Sequence, residues 1–345
     1  MLVWSALLGY VLIIKLLMGI LHSDKKKKTF LFLAGVALVL VMGCRYATPY
    51  ESGDLNNYYR LYGELANVPW NELAQYSHME GGYLVLNKIL TMIFPWNQTI
   101  IFVEAIICVY FTFRFIYKFC SDVFLGVLIY LTQGLLIFEL TGFRQAIAIS
   151  LCLFAVEFIK NKKIIWFMLI TILACTFHST AIVFFPFYFL AYLKLSAINI
   201  MIYGVIYTIL LSLMPSLLLW GSNLTGSDYT VASTWGNFMG PLINISFHII
   251  ALVFMAFVRK SDVKVHKWKW NMTVLSLIIY VLRFISLPFE RISFYFSGGL
   301  IVALPLGIDE ALEKKTNKIV KTIIVLLSIV LYFTRFRGIG YRFFF

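Results

Sequence analysis

The side chains able to do chemistry fall in a few short clusters between apolar stretches. Segment 45–62, RYATPYESGDLNNYYRLY, carries Arg45, then Asp54 in a Gly53-Asp54 turn, then Tyr58, Tyr59 and Tyr62 at near-helical spacing. Tyrosines beside a carboxylate suit sugar rings, whose C–H faces pack on aromatic surfaces, and they equally suit an interfacial helix at headgroup level. Glu80-Gly81-Gly82-Tyr83, with Asn87, puts a second carboxylate at the mouth of an apolar stretch, where packing alone gives no reason for it. Gly142-Phe143-Arg144-Gln145-Ala146 places Arg144 at a helix N-terminus, which is already positive and has unpaired N–H groups, so a cation there implies a bound anion. A salt bridge to Glu139 or snorkelling to lipid headgroups are its other uses. His178-Ser179 opens a further apolar stretch, and a histidine there either moves a proton near neutral pH or caps the helix. Arg291 follows Pro288 and Glu290, with Tyr295 one turn on. Arg144, His178 and Arg291 are thus expected at three helix N-termini facing one aqueous side, an anion clamp with proton-transfer groups nearby.

The elements that must position them are membrane helices. Of 345 residues, 61% are hydrophobic and 13% charged, and the mean hydropathy is +0.88, so the fold class is an all-α polytopic membrane protein. The net charge of +13 does not point to nucleic acid, because lysine supplies most of it at the short polar breaks Lys25–Lys28, Lys160–Lys163, Lys264–Lys269 and Lys314–Lys321. The positive-inside rule assigns those breaks to the cytoplasm, where they meet anionic headgroups. Arginine mostly falls at the opposite ends, at Arg45, Arg60, Arg144, Arg283, Arg291, Arg335, Arg337 and Arg342, with only Arg114 and Arg259 on the lysine side. A planar, permanently charged donor suits phosphate or carboxylate. Five cysteines show no paired spacing and fit core packing.

Apolar segments run roughly 1–21, 30–44, 98–117, 123–141, 144–159, 164–177, 179–193, 196–219, 241–258, 271–287, 290–308 and 318–334, giving about twelve expected spans. The first lacks a basic n-region and precedes a lysine run, so a retained helix with its N-terminus outside is expected. Counting sides leaves 81–94 entering and leaving by one face, as a re-entrant or interfacial helix. The chain reads as one integral membrane domain over 1–345, with outer loops 45–80 and 220–240.

No DxD pair, GxGxxG, P-loop, HExxH or GxSxG motif is present, which disfavours a cytosolic nucleotide donor or a metal-dependent hydrolase. Arginines, carboxylates and a histidine on the outer face fit a substrate that carries its own leaving group across the membrane. The order Arg45, Gly53-Asp54, Tyr58, Glu80-Gly82-Tyr83, Arg144-Gln145-Ala146, His178-Ser179 and Arg291 near a tyrosine, ending in Tyr341-Arg342-Phe343, resembles the EpsG-type family of Wzy-like polysaccharide polymerases. The resemblance implies a metal-independent enzyme of the bacterial cytoplasmic membrane with no cofactor. It would serve capsule, exopolysaccharide or O-antigen assembly, moving a glycan from undecaprenyl diphosphate to the terminal sugar hydroxyl of a lipid-linked repeat unit. It also implies roles. Arg144 and Arg291, assisted by Arg45, hold the diphosphate; His178, Asp54 or Glu80 serves as base; Gln145, Tyr58 and Tyr83 orient substrate. Expected partners are the undecaprenyl diphosphate-linked oligosaccharide, membrane lipid, a flippase and a chain-length regulator, with no nucleic acid. Competing readings are an O-antigen ligase-like glycosyltransferase, which usually keeps its chemistry on a late outer loop, a flippase or transporter of the same lipid, which needs charges along a transmembrane path, and a membrane O-acyltransferase.

Overall fold

A computed structural model describes residues 1–19, 23–46, 53–194, 239–258 and 260–345, with isolated positions 213, 216 and 219. The expected span 196–219 and the outer loop 220–240 lie almost wholly outside the described residues, as does the start of the outer loop 45–80 at 47–52. All named elements among the described residues are helical, and extended pairing is limited to one bridge between Arg45 and Phe343. The chain divides into two compact units, residues 1–185 with 318–345, and residues 186–317.

In the first unit, α1 (Leu2–Met18) ends at Gly19, whose φ of +61° few other residues adopt, and the Lys15 ammonium bonds the Gly19 carbonyl. Lys15 therefore serves a helix end rather than a path across the membrane. Ser23 caps α2 (Asp24–Gly43) by accepting the Lys26 N–H at 3.2 Å, and Asp24 complements the helix dipole. Helix α2 packs on α6 (Thr99–Phe119), which packs in turn on α9 (Phe143–Lys160), and α9 packs on α10 (Ile164–Phe177). Between α2 and α6 in the chain lie the short helices α3 (Gly53–Leu65), α4 (Leu73–Tyr76) and α5 (Gly81–Ile93).

Helix α5 has 13 residues, about 20 Å, too short to cross ~30 Å of hydrocarbon. Val85, Ile89, Met92 and Ile93 form an exposed apolar stripe, whereas Tyr83, Leu84, Asn87, Lys88 and Thr91 are buried. The Lys88 ammonium donates to the carbonyls of Leu65 at 2.9 Å and Ala66 at 3.1 Å, so it caps the C-terminus of α3 where unpaired carbonyls favour a cation.

The expected count of about twelve spans is not reproduced among the described residues. Two helices, Thr99–Phe119 and Lys314–Phe336, are long and apolar enough to cross alone, and the pair Pro288–Phe296 and Gly298–Ala311, bent by 53°, would make a third. Two expected spans break for reasons of backbone chemistry. Segment 123–141 splits into α7 (Val123–Thr132) and α8 (Leu135–Glu139) at Gly134, whose φ is +100°. Segment 179–193 becomes a 3-10 turn, Ser179–Phe184, followed by α11 (Phe187–Leu190). Pro186 has no N–H to donate, and its ring would strike the Ile182 carbonyl in a continuous α-helix.

In the second unit Met239–Ala256 and Lys260–Val281 pack against Gly298–Ala311. Gly299 lies against the backbone at Thr273, and a Cβ at Gly307 would sit 2.8 Å from that of Phe254. Such close approach is how membrane helices gain packing energy where burial from water is not the driving force.

Candidate active site

Four elements of the first unit meet at Glu80. It is the N-cap of α5, with extended backbone (φ −62°, ψ 141°), and so its side chain projects from the start of a helix toward the turn that follows α10. One carboxylate oxygen accepts the Ser179 N–H at 3.1 Å; the other pairs with Nη1 of Arg144 in the first turn of α9. Arg144 thus bonds Glu80, and Glu139 instead accepts a hydrogen bond from the Tyr130 hydroxyl. Nε of Arg144 is buried and makes no hydrogen bond. Buried guanidinium N–H groups are normally satisfied, so this one is a vacant donor beside an aromatic wall.

That wall comes from α3 and α5. Tyr58 stacks on Phe143 at 5.0 Å with planes 9° apart, and meets Tyr83 edge-on at 5.6 Å. The Tyr58 hydroxyl borders the Arg144 guanidinium, and burial raises its pKa despite that neighbouring charge. Tyr83 and Asn87 are fully buried; the Tyr83 hydroxyl and Asn87 Oδ1 are further polar atoms without a hydrogen bond. Asp54 is exposed in the first turn of α3, one turn before Tyr58.

His178 ends α10 and caps the turn Ser179–Phe184. Its Nδ1 accepts the Thr180 N–H at 3.3 Å and lies 2.7 Å from Thr180 Oγ1, to which Gln145 Nε2 donates at 3.3 Å. An Nδ1 that accepts from a backbone amide leaves the ring proton of the neutral tautomer on Nε2. His178 is thereby set to donate through Nε2. Gln145 steadies the turn that sets it.

Glu80, Arg144, Gln145, His178, Tyr58 and Tyr83 therefore share one neighbourhood, with Asp54 at its edge. Arg45 does not join them: it is buried elsewhere, with Nη2 donating to the Leu140 carbonyl at 2.5 Å. Arg291 belongs to the second unit. It sits in the last turn of the six-residue helix Pro288–Ser293, not at a helix start. The expectation of three helix N-termini is corrected to one α-helix, at Arg144, because Pro288 begins Arg291's helix and Pro186 limits the segment after His178 to a 3-10 turn. Sequence reasoning missed Thr180 and Phe143, whose signals, a hydroxyl two residues after a histidine and a ring before an arginine, are too common to stand out.

The Glu80 carboxyl is held below its ordinary pKa. Burial pushes it up, but the Ser179 and Glu80 N–H groups and the charges of Arg144 and His178 outweigh that. A depressed carboxylate contributes stability that is complete above the unfolded-state value of about 4.3 and is lost as pH falls through the folded one. Glu80→Gln is therefore expected to unfold at lower temperature than wild type at pH 7, by the equivalent of about 1–3 kcal/mol. The gap should close as the pH drops below 4. A gap that stays constant across that range in thermal melts would rule out an ionised Glu80 as the stabilising group.

The EpsG family model matches residues 7–344, so the same pattern embraces both units and every residue of the site. No curated protein and no solved structure matches. A match over nearly the full length, through the Glu80–Arg144–Ser179 junction and on to the aromatic tail, leaves one conclusion about kinship: this chain belongs to the EpsG family.

Proposed function

We propose that this protein is a bacterial polysaccharide polymerase, one integral membrane domain working at the outer face of the cytoplasmic membrane with its N-terminus outside. The observation that carries the reading is Arg144. It is fixed in the first turn of α9 by Glu80, keeps a buried Nε–H unbonded, and faces the Tyr58–Tyr83 wall. Helix N–H groups and a guanidinium favour a diphosphate, and tyrosine rings favour the sugar attached to it.

In the reaction, a hydroxyl oxygen at the end of a lipid-linked repeat unit attacks the anomeric carbon of the growing glycan. The bond from that carbon to the diphosphate oxygen breaks, and undecaprenyl diphosphate departs with the bonding electrons. The hydroxyl proton passes to a base. Asp54 takes this role, since both Glu80 oxygens are engaged and the Nδ1 of His178 is occupied. His178 donates a hydrogen bond through Nε2 to the departing diphosphate, Arg144 neutralises it, Gln145 holds the His178 turn, and Arg291, in the second unit, is assigned to anion binding. No metal or cofactor takes part. A flippase supplying the lipid and a chain-length regulator are the expected partners.

The test is to give purified protein an undecaprenyl diphosphate-linked repeat unit and separate the products by size. A ladder of lengthening glycans supports a polymerase. Transfer to a different acceptor without a ladder would make it ligase-like, and movement of intact lipid between leaflets of vesicles would make it a flippase.

A further inference from the structure

The first unit holds a second charged recess. Arg45, Tyr46, Leu55, Thr141, Tyr341 and Arg342 wall a cavity of about 490 Å³, within the usual 300–1,000 Å³ of small-molecule sites. Arg144, Glu80, His178 and Tyr58 do not line it. One wall is residues 338–342, folded back on the exit of α2. The Tyr46 N–H donates to the Arg342 carbonyl at 2.8 Å, the Phe344 N–H to Cys44 at 3.2 Å, and the Tyr341 hydroxyl to Val41 at 2.9 Å.

Among the described residues the lining combines two guanidiniums and two tyrosines with no aspartate, glutamate or histidine. Guanidinium groups suit a phosphate anion, and tyrosine rings suit a sugar attached to it. We propose that this cavity seats the acceptor substrate, with the diphosphate of the lipid-linked repeat unit on Arg45 and Arg342 and its first sugar against Tyr46 and Tyr341. The inference rests on the polymerase reading, because polymerisation needs two lipid diphosphates at once, one that leaves and one that stays. Arg144, beside His178 and Asp54, meets the diphosphate whose charge grows. Arg45 and Arg342 meet the one whose charge does not change. Thr141 and Arg144 are three residues apart, at most about 11 Å of chain, so the two sites are close neighbours and two lipid-anchored substrates reach both from one headgroup layer.

Native mass spectrometry of the full-length protein in detergent, titrated with undecaprenyl diphosphate, tests this. Arg342 is exposed and accepts the Tyr46 N–H through its backbone carbonyl, so Arg342→Gln keeps that contact. Wild type should bind two molecules; Arg342→Gln should weaken one of them about tenfold or more, Arg144→Gln the other, and the double variant both. Excess phosphatidylglycerol should displace neither. Two sites with unchanged affinity in Arg342→Gln, or a single site lost only in Arg144→Gln, would overturn the acceptor site and leave the polymerase reading intact. Displacement of the Arg342-dependent molecule by phosphatidylglycerol would make the cavity an ordinary headgroup site. No binding to wild type would overturn both readings.

Discussion

Arg144→Ala is expected to lower polymer formation by about 10²–10³, chiefly in kcat, the cost of removing one preorganised donor to a developing anion. Arg144→Lys should recover little, since a single ammonium cannot bridge Glu80 and a diphosphate with fixed geometry. The bland alternative is that Arg144 only neutralises Glu80. A double-variant cycle separates the two. If the pair is merely structural, Arg144→Ala and Glu80→Ala do equal damage and the combined variant regains the glycan ladder. If Arg144 binds the diphosphate, the combined variant stays as inactive as Arg144→Ala. A ladder restored in the double variant would end the clamp assignment.

Gly82→Val should damage fold and activity together. Helix α5 touches α10 at this glycine, where a Cβ would stand 2.7 Å from the Thr176 carbonyl oxygen. That oxygen is backbone and cannot swing away. The helix must shift, at a cost of about 1–3 kcal/mol for an overpacked contact. Glu80 lies two residues before Gly82 and Ser179 three after Thr176, so the shift opens the hydrogen bond that sets Arg144. Misplacement of about 1 Å at a reacting centre costs roughly 10²-fold in rate. Gly81→Ala supplies the control: its Cβ would meet nothing within 4 Å, and its stability should stay within about 0.5 kcal/mol of wild type. Equal melting temperatures for the two variants would show that the close approach carries no load.

The helical class and the place of Arg144 at a helix start were legible in the sequence, because periodic apolarity and the Gly142 break act locally. Partners were not legible there. Glu139, five residues from Arg144, is the carboxylate nearest to it in sequence, yet Glu80, 64 residues away, is its partner. Lys88 is a charge within an apolar stretch of sequence, and its partner is the end of α3. Gly134 and Pro186 were visible as residues that interrupt helices, and hydropathy counting passed over both. The Arg45 side chain is held by the Leu140 carbonyl, 95 residues away, a contact that spacing along the chain does not encode.

The return of residues 338–342 to the exit of α2 sets a schedule for synthesis. The Tyr341–Val41 hydrogen bond joins residues 300 apart, an interval that a ribosome making roughly 5–20 residues per second fills in about 15–60 s. Throughout that time the exit of α2 is in the membrane with the Tyr46 N–H and the Cys44 carbonyl lacking their final partners. The nascent protein therefore spends most of its translation without the Arg45 cavity, and a stalled or shortened chain inserts its early helices yet never completes the pocket.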